Sequence, residues 1–578
     1  MLAPPAKEST ASEEARHCLS QELGAITSGD AMVRNDGLSG DREGLHRTST
    51  IGRWLALTAL AFMWTSAQAP LYLFASAPVY IYRDLGGLSY WVWFITANLL
   101  ATAAIAPFVG ALSDLMGRRY VAITGNVTII LGQVICGAAF NMAMFIAGMT
   151  ITGIGTGINE LTSLAGTAEL VPLSHRGYYI AGMVLTILPF LPSAMYAQLI
   201  ASRSTWRYIS IVTSVWAFLG LVVTALFYFP PLRARVHGWK DKVGLLKKTD
   251  FVGGLLPIAG LAAFEVGILA GGYQYPWSSA QTLAPLIVGV ALIAAFAVWE
   301  RRGTSNPMVP RHLSEKPRAL ALTMVITFIS GANFFSVLLL WPPEAYNVYG
   351  HDPVGIGIRG MPFAFGVFGG CIASLVLLSC TRGSRIRYLI LAASVLMTTG
   401  CGCMALATRD NLGAVYAILF VAGAGVGGIT IPVSTVATIL CRPDAIATVT
   451  ALTLAVRIVG GAIGYAVYAN VLARRLAPEL AARLAPACAR VGITDPAVVT
   501  QVVRLTAASL VREIHDLPGV DGDRAAWEVL VSAGQQAYAD AYPWVYYCSV
   551  AFGGVAVLAS LFLGDISDLV DDTVVAAM

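Results

Sequence analysis

Long apolar stretches separated by short polar turns recur along almost the whole chain. Each runs for about 18 residues or more, enough to cross ~30 Å of hydrocarbon as an α-helix. About fourteen such stretches are legible, beginning near Trp54, Tyr90, Tyr120, Met142, Tyr178, Tyr208, Phe251, Leu283, Ala319, Val354, Tyr388, Leu412, Ala445 and Trp544. Trp and Tyr at many of these starts suit the membrane–water interface. The two stretches on either side of Asp410 are the least sharply separated. Two longer polar regions stand apart. Residues 1–53 hold few large apolar side chains and read as a disordered tail without the apolar core of a signal peptide. Residues 473–543 form the one sizeable loop, with helix-compatible apolar spacing around Leu476–Arg490 and Pro496–His515 that predicts two or three amphipathic helices.

Composition removes the soluble alternative. Of 578 residues, 57% are hydrophobic and 12% charged, against roughly 25% charged in a soluble domain. The mean hydropathy of +0.70 has the same meaning: much of the surface faces lipid. The reading is an all-α membrane protein.

The placement of positive charge predicts its orientation. With an even number of spans both termini lie on one side, and the loops of that side carry 18 Lys and Arg against 5 in the short loops opposite. Basic residues stay in the cytoplasm, so both termini are expected there, with Arg233–Lys248 and Arg301–Arg318 as the main basic segments. The seven arginines of the long loop do not oppose this, because long loops cross largely regardless of charge.

The short loop after the second span reads GALSDLMGRR, Gly110 to Arg119. Gly110 and Gly117 permit close packing and a tight turn, Asp114 can accept from backbone amides at a helix start, and Arg118 and Arg119 are held in the cytoplasm. The segment resembles the major facilitator signature G-x-L-x-D-x-x-G-R-R at every fixed position, which implies a loop that latches two helical bundles in one state of an alternating-access cycle. An ordinary basic turn is the competing reading.

Further stretches narrow the resemblance, which runs from about Trp54 to the C-terminus. They are IYRDLGG at Ile81–Gly87, NELTSLAGTAELVPLSHRG at Asn159–Gly177, TWRY at Thr205–Tyr208, GGYQYPWSSA from Gly271, GAGVGGITIP from Gly423, VRIVGGAIGYAVYANVL from Val456 and AYADAYPWVYYCSVAFG leading into the last span. The chain is similar to the fourteen-span drug:proton antiporters, and most resembles the fungal trichothecene efflux pumps and their siderophore-transporter relatives. This implies the major facilitator fold: six-helix bundles at 54–230 and 319–563, a two-helix insert at 231–318 and a short tail at 564–578. It implies proton-driven efflux of a small hydrophobic organic substrate bound between the bundles, with siderophore uptake by proton symport as the alternative. A monomer in the plasma membrane is expected, or in a vacuolar or vesicle membrane.

Ionisable groups inside a span cost roughly 2.5–3.5 kcal/mol on insertion scales, so each needs a partner, a watery cavity or a changed protonation state. Glu160, beside Asn159, lies where the resemblance places the central cavity, and is the first candidate for binding a proton or cation; a structural carboxyl joining spans is the other reading. Arg457 has three readings: an offset to a carboxylate such as Glu160, an anchor for an anionic substrate group, or a brace beside Gly460, Gly461 and Gly464. Glu265 falls in the insert and reads chiefly as structural. Gln68, Asn98, Gln198 and Asn333 are uncharged polar candidates for substrate hydrogen bonds or for helix packing. Two departures from the antiporter pattern keep symport open. Met149 stands where the fourth span normally has an arginine before Gly153, and the fifth-span motif is reduced to Gly182 with Pro189 and Pro192.

Enzymatic classes find little footing. The seven histidines all lie outside the spans, the nine cysteines show no paired spacing, and no Walker-type phosphate loop occurs. No metal, cofactor or nucleic acid is expected. A non-transporting membrane sensor is the remaining class.

Overall fold

A segment inside hydrocarbon must satisfy its own backbone, so it spans as a helix or within a closed barrel. The computed structural model describes residues 50–171, 176–230, 250–271, 275–304, 307–308, 313–314, 316–380, 385–441, 445–520 and 522–564, and its regular elements are helical, with only two isolated β-bridges among the described residues. Twelve described helices are long and apolar enough to cross a membrane, rather than about fourteen. Two expected spans fall outside that set. The first, α1 (Thr50–Ala75), carries Thr65, Ser66 and Gln68 among its apolar residues. The fifth is interrupted: Pro189 and Pro192 divide it into α6 (Arg176–Leu185), a short 3₁₀ turn at Leu188–Phe190 and α7 (Ser193–Arg203).

A short α2 (Pro78–Leu85) follows α1, and then come α3 (Val92–Met116), α4 (Arg118–Gly137), α5 (Met142–Leu170) and α8 (Arg207–Phe227). Here α5 packs on both α3 and α4, and α4 on α8. Asn141 starts α5 by accepting from Met144 N–H at 2.8 Å. Next come α9 (Phe251–Ala270) and α10 (Ala280–Val298), which pack on each other. Asp250 caps α9 and also accepts from Trp299 Nε1 at 2.9 Å, joining the two helices at one end. At the other end of α9, Asn470 donates to the carbonyls of Ile268 and Gly271. The outer face of α10 is bare: Leu283, Ile287, Val288 and Val290 are exposed, as a lipid-facing surface requires.

The last set comprises α11 (Pro317–Tyr349), α12 (Pro353–Cys380), α13 (Arg385–Cys403), α14 (Leu412–Thr430), α15 (Pro432–Leu440), α16 (Ile446–Val491), α17 (Pro496–Ala507), α18 (Arg524–Ala541) and α19 (Pro543–Leu561). A 3₁₀ turn at Met404–Leu406 and a turn through Asp410 separate α13 from α14. The segment Leu476–Arg490 is no separate amphipathic helix but the continuation of α16, which runs 46 residues through Pro478 and Pro486. Its stripe of Leu476, Leu480, Leu484 and Cys488 is buried, and α16 packs there on α18. Contact between the first and last sets runs chiefly through α3 against α16 and through α6 and α7 against α12, with a smaller contact of α5 against α16.

Candidate functional site

Two close backbone contacts at one helix crossing fix the position of Arg457. On α11, a Cβ at Gly331 would overlap the carbonyl of Arg457, and on α16 a Cβ at Gly460 would overlap that of Phe328. Small residues thus let the two backbones touch, and Arg457 is carried to the inner face of α16. There Arg457 Nη2 donates to Glu160 Oε1 on α5, and the two side chains are only 7% and 3% exposed. Removing one partner of such a buried pair strands a charge at a cost of about 3–5 kcal/mol.

The pair lines a cavity of about 110 Å³ walled chiefly by apolar and aromatic side chains, among them Trp64, Tyr72, Phe190, Phe334 and Phe363. Gln68 also lines it and accepts from Tyr72 Oη at 3.0 Å. Ligand pockets usually offer ~300–1,000 Å³, so the cavity in this conformation is too small for a drug-sized molecule.

The remaining predicted polar residues lie elsewhere. Asn159 points away from Arg457 and donates to Ser66 Oγ at 3.2 Å and Asn126 Oδ1 at 3.1 Å, so it joins α5 to α1 and α4. Asn333 accepts from Tyr468 Oη at 2.9 Å, Asn98 donates to the Met149 carbonyl at 2.9 Å, and Gln198 to that of Ser76 at 2.6 Å. All three are buried packing contacts. Glu265 is fully buried on α9, and neither carboxyl oxygen has a hydrogen-bond partner among the described residues.

The signature loop turns on Gly117, whose φ of +90° lies where L-residues are strained. Arg119 donates to the Ala225 carbonyl at 2.6 Å and lies over the Phe229 ring at 3.9 Å, bracing α4 against the end of α8. The side chain of Asp114 lies outside the described residues, though the backbone there ends α3. Gly110 and Arg118 border a second, much larger cavity of about 1,170 Å³ between α3, α5, α9 and α16.

Tyr82 Oη of α2 donates to the Ala508 carbonyl at 2.5 Å, and Arg83 pairs with Glu513 at 3.6 Å, so α2 is tied to the 473–543 segment. One buried carboxylate escaped the sequence reading: Glu344, which accepts from Tyr546 Oη. A 20-residue span from Ala319 ends before Glu344, whereas α11 continues through Pro342 and Pro343 to Tyr349.

Residues 43–578 match the family described as fungal trichothecene efflux pump (TRI12). Among curated relatives, the MFS-type efflux transporter ffsH of Aspergillus flavipes is 29% identical, covering 80% of this chain and 78% of that protein. The trichothecene efflux pump TRI12 of Fusarium sporotrichioides is 25% identical over 86% of this chain and 84% of its own. Among solved structures, the human organic anion transporter MFSD10 superposes with a TM-score of 0.51 at 13% identity, over 89% of this chain and 99% of that one. The proton:xylose symporter XylE superposes at 0.50 with 12% identity, over 89% and 96%. These two likenesses concern the all-helical fold. A multi-pass membrane transporter, not an enzyme, this chain belongs to the fungal trichothecene efflux pump family of the major facilitator superfamily.

Proposed function

We propose that this protein exports a small, largely apolar toxin or secondary metabolite in exchange for protons, and that Glu160 is the residue that binds the proton. The observation that carries this reading is the buried Glu160–Arg457 pair in the wall of an aromatic cavity. An ionised Glu160 holds α5 to α16. A proton on that carboxyl cancels the attraction, frees Arg457 and loosens the contact between the first and last helical sets. Proton binding is thereby tied to one state of the cavity.

The helical segments are proposed as fourteen spans, with α1 and the broken α6–α7 segment crossing as well. They form two six-helix bundles flanking the α9–α10 insert, around a site near the midplane. Both termini are placed in the cytoplasm of a plasma-membrane monomer, which puts the signature loop inside and the 473–543 cap outside. One proton moving down ~100 mV supplies about 2.3 kcal/mol, roughly a fifty-fold concentration ratio. Uptake of a ferric siderophore by symport is the second reading, favoured by Met149 standing in place of the antiporter arginine.

Expression in a pump-deficient yeast, with fluxes of a tritiated trichothecene and of a ferric siderophore measured in parallel, tests direction and class. Toxin extrusion supports the reading, and siderophore accumulation without extrusion overturns it. Cysteine at Ala525 is expected to react with an impermeant thiol reagent from outside and cysteine at Lys242 is not; the reverse pattern overturns the orientation.

A further inference from the structure

The second cavity has no part in the pathway described so far, yet it is about ten times larger than the first. Its walls are small and apolar along most of their length: Ala97, Leu100 and Ala104 on α3, Leu261 on α9, Leu452 and Ala455 on α16. Polar groups gather at the signature-loop end, where Ser113, Arg118, Asp250 and Thr448 line it. At that end the lining residues Pro107, Gly110 and Ala447 are exposed. Phe108 stacks on Phe251 across the mouth between α3 and α9, with ring centroids 6.1 Å apart. The result is a deep apolar groove with a polar lip, at least as large as the ~300–1,000 Å³ that ligand pockets usually offer, which the central cavity does not reach.

The helices α5, α11 and α16 each contribute to both spaces. On α5, Glu160 lines the central cavity while its neighbours Leu161 and Thr162 line the groove. On α16, Arg457 lines the central cavity while Val456 and Val459 line the groove. Successive helical residues diverge by about 100° around the axis, so adjacent positions can serve opposite spaces. The Glu160–Arg457 pair is therefore a join between α5 and α16 on the central-cavity side, with groove-lining residues beside it.

We propose that this groove is the port by which an uncharged, apolar organic substrate dissolved in the bilayer reaches the central cavity, and that the Glu160–Arg457 pair is the partition it crosses. The port rests on the export reading above; the partition rests on geometry alone. Apolar walls fit a molecule that has partitioned into lipid, and groove-lining Leu161 and Val456 adjoin the two members of the pair, whose opening would join the two volumes. Neutralising Glu160 then opens a path as well as taking up a proton.

The test uses the full-length protein with its native cysteines replaced, reconstituted in liposomes and treated with N-(1-pyrenyl)maleimide, which partitions into lipid. Cysteine at Ala455, in the groove, is expected to label whether or not the pair is intact. Cysteine at Gln68, in the central cavity, is expected to label slowly with the pair intact and about tenfold faster when Glu160→Gln or Arg457→Gln breaks it. Two independent ways of breaking the pair guard against one variant misfolding, with elution in detergent as the check on both. Labelling of the Gln68 cysteine at an unchanged rate in both variants overturns the partition.

For the port, Ala455→Trp is expected to lower tritiated trichothecene transport about tenfold while leaving its binding in detergent within about twofold, with Ala455→Ser close to wild type. Wild-type transport in Ala455→Trp overturns the port and leaves the groove to a resident acyl chain. A wild-type protein that moves no trichothecene counts against the export reading alone, because the labelling arms need no transport.

Discussion

Glu160 and Glu265 are the same residue type, each buried in a helix among apolar neighbours, yet their surroundings differ in every respect that matters for chemistry. Glu160 has a cationic partner on another helix and lines a cavity. Glu265 has no hydrogen-bond partner among the described residues and borders neither cavity, although Leu261 and Ala262, one turn away on α9, line the groove. Burial alone therefore does not identify a working carboxylate; a partner that must be released, and a space to which release matters, do.

The largest expected effect separates the two residues by transport. Glu160→Gln keeps size and hydrogen bonding but cannot titrate, and is expected to lower gradient-driven trichothecene accumulation by about a hundredfold while substrate binding stays within a few-fold. Glu265→Gln is expected to accumulate substrate within about twofold of wild type. Equal losses in the two variants would erase the distinction.

Stability should divide them next. Arg457→Met leaves Glu160 buried without its partner and is expected to lower stability by about 3–5 kcal/mol, read as a large drop in thermal midpoint in detergent. Pairing it with Glu160→Gln should recover most of that loss, since no charge is then stranded. Glu265→Leu replaces an unpartnered buried carboxyl and is expected to raise the midpoint by a few degrees. A fall instead would mean that Glu265 holds a partner the described residues do not include.

A smaller effect belongs to a third titratable group, outside the spans. His351 lies between α11 and α12 with its ring 4.6 Å from that of Tyr346. Burial first, then the charges of Arg512 and Arg359, lower its pKa to about 4 from the usual 6.5. The folded state thus favours the neutral ring, and its contribution is full above pH 6.5 and lost as pH falls from 6.5 towards 4. Arg512 belongs to the 473–543 segment, so acidification is expected to loosen that cap. The thermal midpoint should fall between pH 7 and 5 by more in wild type than in His351→Gln.

What the sequence disclosed follows from how each signal is written. Span existence and the Gly110–Arg119 loop were legible because hydropathy and a contiguous motif are local. Glu160 and Arg457 stood out singly because charge in a span is costly, but their union, across 297 positions of chain, was only one of three readings for Arg457. Asn159 and Asn333 looked alike as candidates and turned out to pack helices together, because a polar residue's direction around its helix is set by neighbours that span boundaries do not reveal. The length of α11 hid Glu344, and α16 runs on past Arg474 and Arg475, where charge ends the apolar stretch that marks a span. Both cavities arise from several helices at once and have no signature in any one of them.

The most direct test of Glu160 as the coupling residue is the proton movement that substrate itself provokes. Protein reconstituted in liposomes, with a pH-sensitive dye inside and no imposed gradient, receives tritiated trichothecene from one side. Wild type is expected to show a proton flux opposite to the substrate flux, and Glu160→Gln to show substrate exchange with no proton signal. A Glu160→Gln protein that moves protons with substrate as wild type does would contradict the assignment and return Glu160 to a structural role.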